Sequence, residues 1–483
     1  MGEINDGDTR SPIGTFVKRI LDQRVQPRSV EDMPIFYQNL EEALDVRRNA
    51  HNFYSLVQNN WRTSNAVDLC SGDILSLGAS EERRAEFLAE LRRNPDFTLG
   101  SSGVRLMDGH YSYLEDAEKS IATFHGAEAG LIVGSAYEAN VAVWTAIPRP
   151  GDVILFDALV HASSHEGIRQ SLAIEKVEFA HNDIESFRSS VLEIAASQPL
   201  IRQGKRSIIV AVESIYSMDG DVCPLRELVE AADDVLGCDG NIQFVVDEAH
   251  SIGVIGPKGA GLVCELGLEK EIAVVVHSYG KALGATGAVI LGNKTIIDTL
   301  VNFGRSITYT TSPSFAFVAA IKSGYALLAT AQTRDAQGRI QDLARLFFRS
   351  ISSHSLWPAA KGQGLLYIPL LDRWEERPFL THILPISTNQ KYTWWLYFHL
   401  LSSSYCVFPV DYPIVPIGQS RLRIILHASN TDEQITDFVR LVFEWVDEMI
   451  QIEEGRTPDR VSKAAREVYA WMEKEQLTGW GKV

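Results

Sequence analysis

The sequence predicts an α/β protein: a doubly wound, mostly parallel sheet in a large domain, with a smaller α+β domain at its carboxyl side. Three observations predict this. Apolar runs ending near residues 135, 157, 217, 247 and 278 alternate with helix-length stretches, the pattern of successive β–α units in one sheet. The ends of these runs carry small, polar and ionisable residues, as a crevice at the carboxyl ends of parallel strands requires. From about residue 313 the alternation stops, and a helix, isolated strands (GLLYIPL, RLRIIL) and a long closing helix follow. With 483 residues, 45% of them hydrophobic and 22% charged, the chain can bury a large core and fill two packed domains.

Residues 1–65 read as an N-terminal helical arm. FYQNLEEALDVRRNAHNFYSLVQNN spaces its apolar residues as a helix or two would, for packing on the body or on a partner. Residues 66–312 form the predicted large domain. GSSGVRLMDGHYSYLEDAEKSIATFHG opens with a glycine-rich turn and runs into an amphipathic helix. LIVGSAYEANVAVW is a strand, a small-residue turn and a helix start. Unpaired N–H groups at such a start suit a phosphate, so Ser135, Ala136 and Tyr137 are candidates; an ordinary helix start is the alternative. DVILFDALVHASSHEGIRQS places His161 after a strand, where an imidazole can stack on a flat cofactor or serve only the structure. SIIVAVESIYSMDGDVCPLREL is a strand, a turn shaped by Asp219 to Asp221, and a helix opened by Pro224. Residues 313–450 form the smaller domain. Its closing helix carries Ile435, Phe438, Val439, Val442, Val446 and Ile450 on one stripe. Residues 451–483 read as a charged C-terminal tail.

Two strand ends carry the chemistry. IQFVVDEAH ends in Asp247, with His250 one turn later, and IAVVV runs into HSYGKALGATGAVI, with Lys281 at its centre. A lysine at such a position suits a Schiff base. A carboxylate at a neighbouring strand end keeps a pyridine nitrogen protonated, which lets the ring act as an electron sink. Together they argue for pyridoxal 5'-phosphate; singly, each reads as a cap or a solvated side chain.

Asp247 to His250 followed by GVIGPKGAG, the E…SMDGD run from Glu213, and Ser278 to Lys281 followed by ALGATGA resemble the α-oxoamine synthase family of fold-type I pyridoxal phosphate enzymes. That family includes 8-amino-7-oxononanoate synthase, 5-aminolevulinate synthase and serine palmitoyltransferase, and the wording is closest to fungal members. The resemblance covers roughly residues 65–447. It implies that Lys281 holds the cofactor and moves the Cα proton, that Asp247 pairs with the ring nitrogen, and that His161 stacks on the ring. It further implies that His250, Ser217 and Ser278 border the cofactor, and that Ser135, Ala136 and Tyr137 bind its phosphate. Thr310 and Thr311 in FGRSITYTTSPSFAF would reach the phosphate of a neighbouring subunit, implying a homodimer with shared sites; a plain strand-to-helix junction is the competing reading. Arg423, with Arg421 in reserve, would grip the substrate carboxylate as a bidentate fork. Three positions depart from the family: Gly72 where relatives have Asn, Leu114 for His, and Ala260 for Arg.

The implied reaction condenses glycine, alanine or serine with an acyl thioester, on CoA or an acyl carrier protein, releasing carbon dioxide and the thiol and leaving an α-amino ketone. An aminotransferase or aldolase-type lyase of the same fold is the alternative. A net charge of -17 excludes a generally basic, nucleic-acid-binding surface. Five scattered cysteines, Cys70, Cys223, Cys238, Cys264 and Cys406, fit no metal or disulfide framework, and each reads as a small buried hydrophobe. No apolar run reaches the ~18 residues of a membrane span, and the amino terminus has no signal-peptide pattern. The expectation is a cytoplasmic enzyme without metal.

Overall fold

The computed structural model describes residues 11–22, 33–49, 53–56, 65–237, 241–412 and 414–475. Its centre is a seven-stranded sheet of β1 (Ala129–Val133), β2 (Val153–Asp157), β3 (Glu175–Phe179), β4 (Ile208–Glu213), β5 (Ile242–Asp247), β6 (Ile272–Ser278) and β7 (Ala288–Gly292). The order across the sheet is β1-β7-β6-β5-β4-β2-β3. Pairings are parallel from β6 through β3, and β7 runs antiparallel to both of its neighbours. The connection after β6 explains that reversal: it contains no helix, and a parallel return requires a crossover of a dozen or more residues. Helices cover both faces, so β4 is buried at every position and is apolar up to Glu213 at its end.

The smaller sheet comprises β8 (Ile383–Ser387), β9 (Phe408–Val410) and β10 (Arg421–Ile425), antiparallel in the order β9-β10-β8. The closing helix Asp432–Glu453 buries its predicted stripe and also Leu441, Phe443, Trp445 and Met449. It is wider than one stripe because helices Ala331–Ser353 and Gln390–Ser402 both pack on it.

Helices near both limits of the described residues join the core around the smaller sheet. Helix Pro12–Asp22 places Phe16 among Trp394, Tyr397 and Phe398, and Val67–Asp68 pairs in parallel with Tyr405–Cys406. The expected charged tail contains helix Lys463–Lys474, whose Ala464, Ala465, Val468, Trp471 and Met472 are buried at helical spacing against Gln390–Ser402. Helix Phe315–Leu328, read as the start of the small domain, instead packs on Glu81–Arg93 and Ser112–Phe124, since it is apolar nearly all round. Helix Ile35–Asn49 buries no residue, and residues 1–10, 23–32, 50–52 and 57–64 of the predicted arm lie outside the described residues. Cys223 and Cys406 are buried, Cys70 and Cys264 half-buried, and Cys238 lies outside the described residues. Among the described residues no single helix is long and apolar enough to cross a membrane.

Candidate active site

The parallel strands converge on Asp247 at the end of β5. Its Oδ2 accepts from Asn140 Nδ2 at 2.7 Å and its Oδ1 from the Ala249 N–H at 2.9 Å. Asn140, buried in helix Ala136–Ala146, also donates to Ser163 Oγ at 3.0 Å, so the carboxylate is fixed from two elements. Glu248, the next residue, accepts at Oε1 from the Leu262 and Val263 N–H groups at 2.6 and 3.0 Å. A side chain on Gly261 would collide with this carboxyl, which accounts for that glycine in GPKGAG. The motif thus anchors the loop that carries Asp247 and His250. Burial raises the Glu248 carboxyl to about 7.

Lys281 sits in the turn between β6 and β7, and the Gly284 N–H donates to its carbonyl at 2.9 Å. Burial lowers its ammonium from the usual lysine range, against the pull of Asp247 and Glu213. Glu213 ends β4 directly beside Asp247. Burial, reinforced by Asp247, holds its carboxyl well above the ordinary range, and Oε1 has no partner. A neutral acid there spares the site a second buried anion.

A cavity of about 170 Å³ opens beside these groups, lined by Lys281, His161, Ser217, His250, His382 and Arg423, with Ser71, Gly72, Ile74, Met218 and Ile425 completing the wall. His161 caps helix Ala162–Gln170; its Nδ1 lies 2.7 Å from Ser163 Oγ, and its ring, at the mouth of the cavity and only partly covered, meets Tyr137 edge-on at 6.4 Å. Burial lowers its pKa. Burial also holds His250 well below the histidine range, with Lys281 adding to the effect, and its Nδ1 is unpartnered.

The predicted site residues fall into two groups. Lys281, Asp247, His161, His250, Ser217 and Arg423 come together, with Ser278 at the end of β6 just before the lysine turn. Ser135 caps the helix holding Asn140, its Oγ accepting from the Glu138 N–H at 3.1 Å, and Ala136 and Tyr137 form the first turn. Thr310 and Thr311 are exposed and outside this cavity; Thr311 pairs with Val104 in an isolated bridge. Arg423 donates from Nη1 to the Ser217 carbonyl at 3.3 Å, and its Nε is free. Arg421 is ion-paired to Asp219 and donates from Nε to the Gln419 carbonyl at 3.0 Å, away from the cavity. That pair, and the 2.6 Å hydrogen bond from Thr381 Oγ1 to the Gly220 carbonyl, tie the SMDGD turn to the small domain.

Sequence reasoning assigned no role to Asn140 or Glu213 and missed His382. The first two stand inside recognised motifs but acquire meaning only from contact with Asp247. His382 stands just before an apolar strand, and a single histidine there carries no signal. The departures separate likewise: Gly72 lines the cavity, where a Cβ would sit 3.5 Å from Lys281 Cγ, whereas Leu114 and Ala260 are core residues.

The residues fit pyridoxal phosphate. A fixed, buried carboxylate stands ready for a protonated ring nitrogen, an amine of lowered pKa lies beside it, and unpartnered His250 and Arg423 nitrogens border the cavity. Together with the 3-2-4-5-6-7-1 sheet, this defines a fold-type I pyridoxal phosphate transferase.

Comparison with known proteins narrows the class. Residues 64–442 match the family described as aminotransferase class I and II. The chain is 50% identical over 451 residues to aminoacyl transferase sphA of Byssochlamys spectabilis, covering 93% of this chain and 96% of that protein. It is 38% identical over 389 residues to 8-amino-7-oxononanoate synthase of Emericella nidulans, with 80% and 90% covered. A solved serine palmitoyltransferase from S. paucimobilis, with pyridoxal phosphate and myriocin bound, superposes with a TM-score of 0.68 at 21% identity, covering 85% of this chain and 97% of that one. The chain belongs to the class I and II aminotransferase family, and its relatives there are α-oxoamine synthases.

Proposed function

We propose that this enzyme condenses glycine, alanine or serine with an acyl thioester, the amino acid losing carbon dioxide and the thioester its thiol, to give an α-amino ketone. The observation that carries this reading is the shared cavity. It sets the Lys281 amine and the free edge of the Arg423 guanidinium over one small volume beside Asp247.

Pyridoxal phosphate, when bound, withdraws electrons from the substrate Cα through its protonated ring nitrogen. The chain's own residues do the rest. The Asp247 carboxylate, held by Asn140 and the Ala249 N–H, keeps that ring proton in place. His161 would orient the ring by its face, and His250 with Ser217 would hydrogen-bond its edge. The helix turn at Ser135, Ala136 and Tyr137 receives the phosphate. Arg423 binds the amino-acid carboxylate, a bidentate pairing for which Nε is free. Lys281, its pKa lowered by burial, carries a larger neutral fraction and takes the Cα proton at Nζ. The carbon so freed attacks the thioester carbonyl, the C–S bond breaks, and the thiol leaves with a proton. Loss of carbon dioxide and protonation at Cα complete the balance.

Exposed Thr310 and Thr311 support a homodimer in which each copy completes the partner's phosphate site. CoA and an acyl carrier protein both satisfy the chemistry as thiol donor. The test is release of free thiol from a panel of acyl thioesters. Release that requires an added small amino acid supports the reading. Formation of a keto acid from the amino acid, independent of thioester, would replace it with an aminotransferase.

A further inference from the structure

His382 is a buried polar group in want of a partner. It is fully buried just before β8, and neither ring nitrogen has a hydrogen-bond partner. Its backbone is tied on both sides: the carbonyl accepts from the Leu426 N–H at 2.8 Å, and Thr381 before it is bonded to Gly220. The ring stacks on His250 at 5.9 Å with 25° between planes and lines the cavity that contains Lys281 and Arg423. Leaving such a group unsatisfied is destabilising. Native structures rarely retain that cost without a ligand or water to relieve it.

The surroundings select the ligand. Burial, then the neighbouring His427, Lys281 and Arg423, lower the imidazole to about 3, so the ring is neutral and offers one N–H. Arg423 Nε is another unsatisfied donor on this wall, and unlike His250 it is always charged. A carboxylate, with two acceptor oxygens, can accept from both. The phosphate-binding helix start, Ser135 to Tyr137, does not line this cavity, so the cofactor phosphate does not supply them.

We propose that His382 binds the carboxylate of the amino-acid substrate together with Arg423, and so sets the direction of the bond that breaks when carbon dioxide leaves. This rests on the condensation reading above. The test uses holoenzyme and two variants, His382→Leu, which keeps bulk without polarity, and His382→Gln, which restores an N–H donor. Amino-acid affinity is read from the absorbance change of the bound cofactor, with ethylamine as a carboxylate-free analogue of alanine.

The proposal expects His382→Leu to weaken alanine, glycine or serine binding roughly 10- to 100-fold while cofactor content and ethylamine binding stay within twofold of wild type. His382→Gln should recover most of the loss. Equal weakening for ethylamine and alanine, unchanged amino-acid binding in His382→Leu, or no recovery in His382→Gln would overturn it, leaving a ring that only packs behind His250. These readouts need no thioester. A wild-type enzyme that binds amino acids but never consumes a thioester would therefore defeat the condensation reading and leave the role of His382 standing.

Discussion

Replacing Asn140 with alanine should damage catalysis through a residue that touches neither substrate nor the reacting carbon. Its amide donates at 2.7 Å to Asp247 Oδ2 and at 3.0 Å to Ser163 Oγ, and it is 2% exposed. Alanine leaves Asp247 with the single donation from Ala249. A hydrogen bond to an ionised group is worth about 1.5–3 kcal/mol. If that stabilisation is spent holding the carboxylate against a ring nitrogen, its loss lowers kcat roughly 10- to 100-fold, at about 1.4 kcal/mol per decade. The lost bond to Ser163 and the small void add a stability cost of about 1–3 kcal/mol, read as a lower Tm. The assay pairs kcat at saturating substrates with a cofactor titration followed by absorbance. Expected are weaker cofactor binding and lower kcat, with KM for the thioester unchanged. A folded Asn140→Ala enzyme with kcat and cofactor affinity within twofold of wild type would refute the claim that Asn140 holds Asp247 for the ring.

Three other perturbations separate site from scaffold. Arg423→Ala should raise the amino-acid KM by about 100-fold or more, whereas Arg421→Ala, which breaks the pair with Asp219, should chiefly lower Tm; steady-state kinetics and thermal melts on both variants compare them. His181 lies between Asp157 and Asp221 at 2.8 and 2.6 Å; burial works against its charge, but the two carboxylates win and raise it to about 10. Because its folded pKa lies above the unfolded value of about 6.5, its contribution is fully present below ~6.5 and is lost as pH rises towards 10. Melts from pH 6 to 10 should therefore fall more steeply for wild type than for His181→Asn, by ~1–2 kcal/mol once solvent screening is allowed for. Gly220→Ala should destabilise by more than ~2 kcal/mol in denaturant titrations, since φ is +67° and a Cβ would collide with the Ile383 carbonyl.

Strands β2, β4, β5 and β6 were legible because each is a largely apolar run followed by small or ionisable residues, and Asp247 and Lys281 are legible for the same reason, whereas the edge strand β3, EKVEF, alternates and carries no such run. Helix Phe315–Leu328 is evenly apolar, and such a helix does not say in sequence which core it enters. The C-terminal helix went unread because its stripe of Val468, Trp471 and Met472 is short among charged residues. Asn140, Glu213 and His382 are defined by partners on other elements, a relation that no local pattern encodes. Arg423 and Arg421, two residues apart on one strand, were separated only by what each touches.

The central claim is decarboxylative condensation at Lys281. Its most direct test is release of labelled carbon dioxide from carboxyl-labelled glycine, alanine and serine, each with and without acyl thioesters. The account predicts release that requires both partners and disappears in Lys281→Ala. An amino-acid-dependent change in the cofactor spectrum with no labelled carbon dioxide from any pair would contradict it.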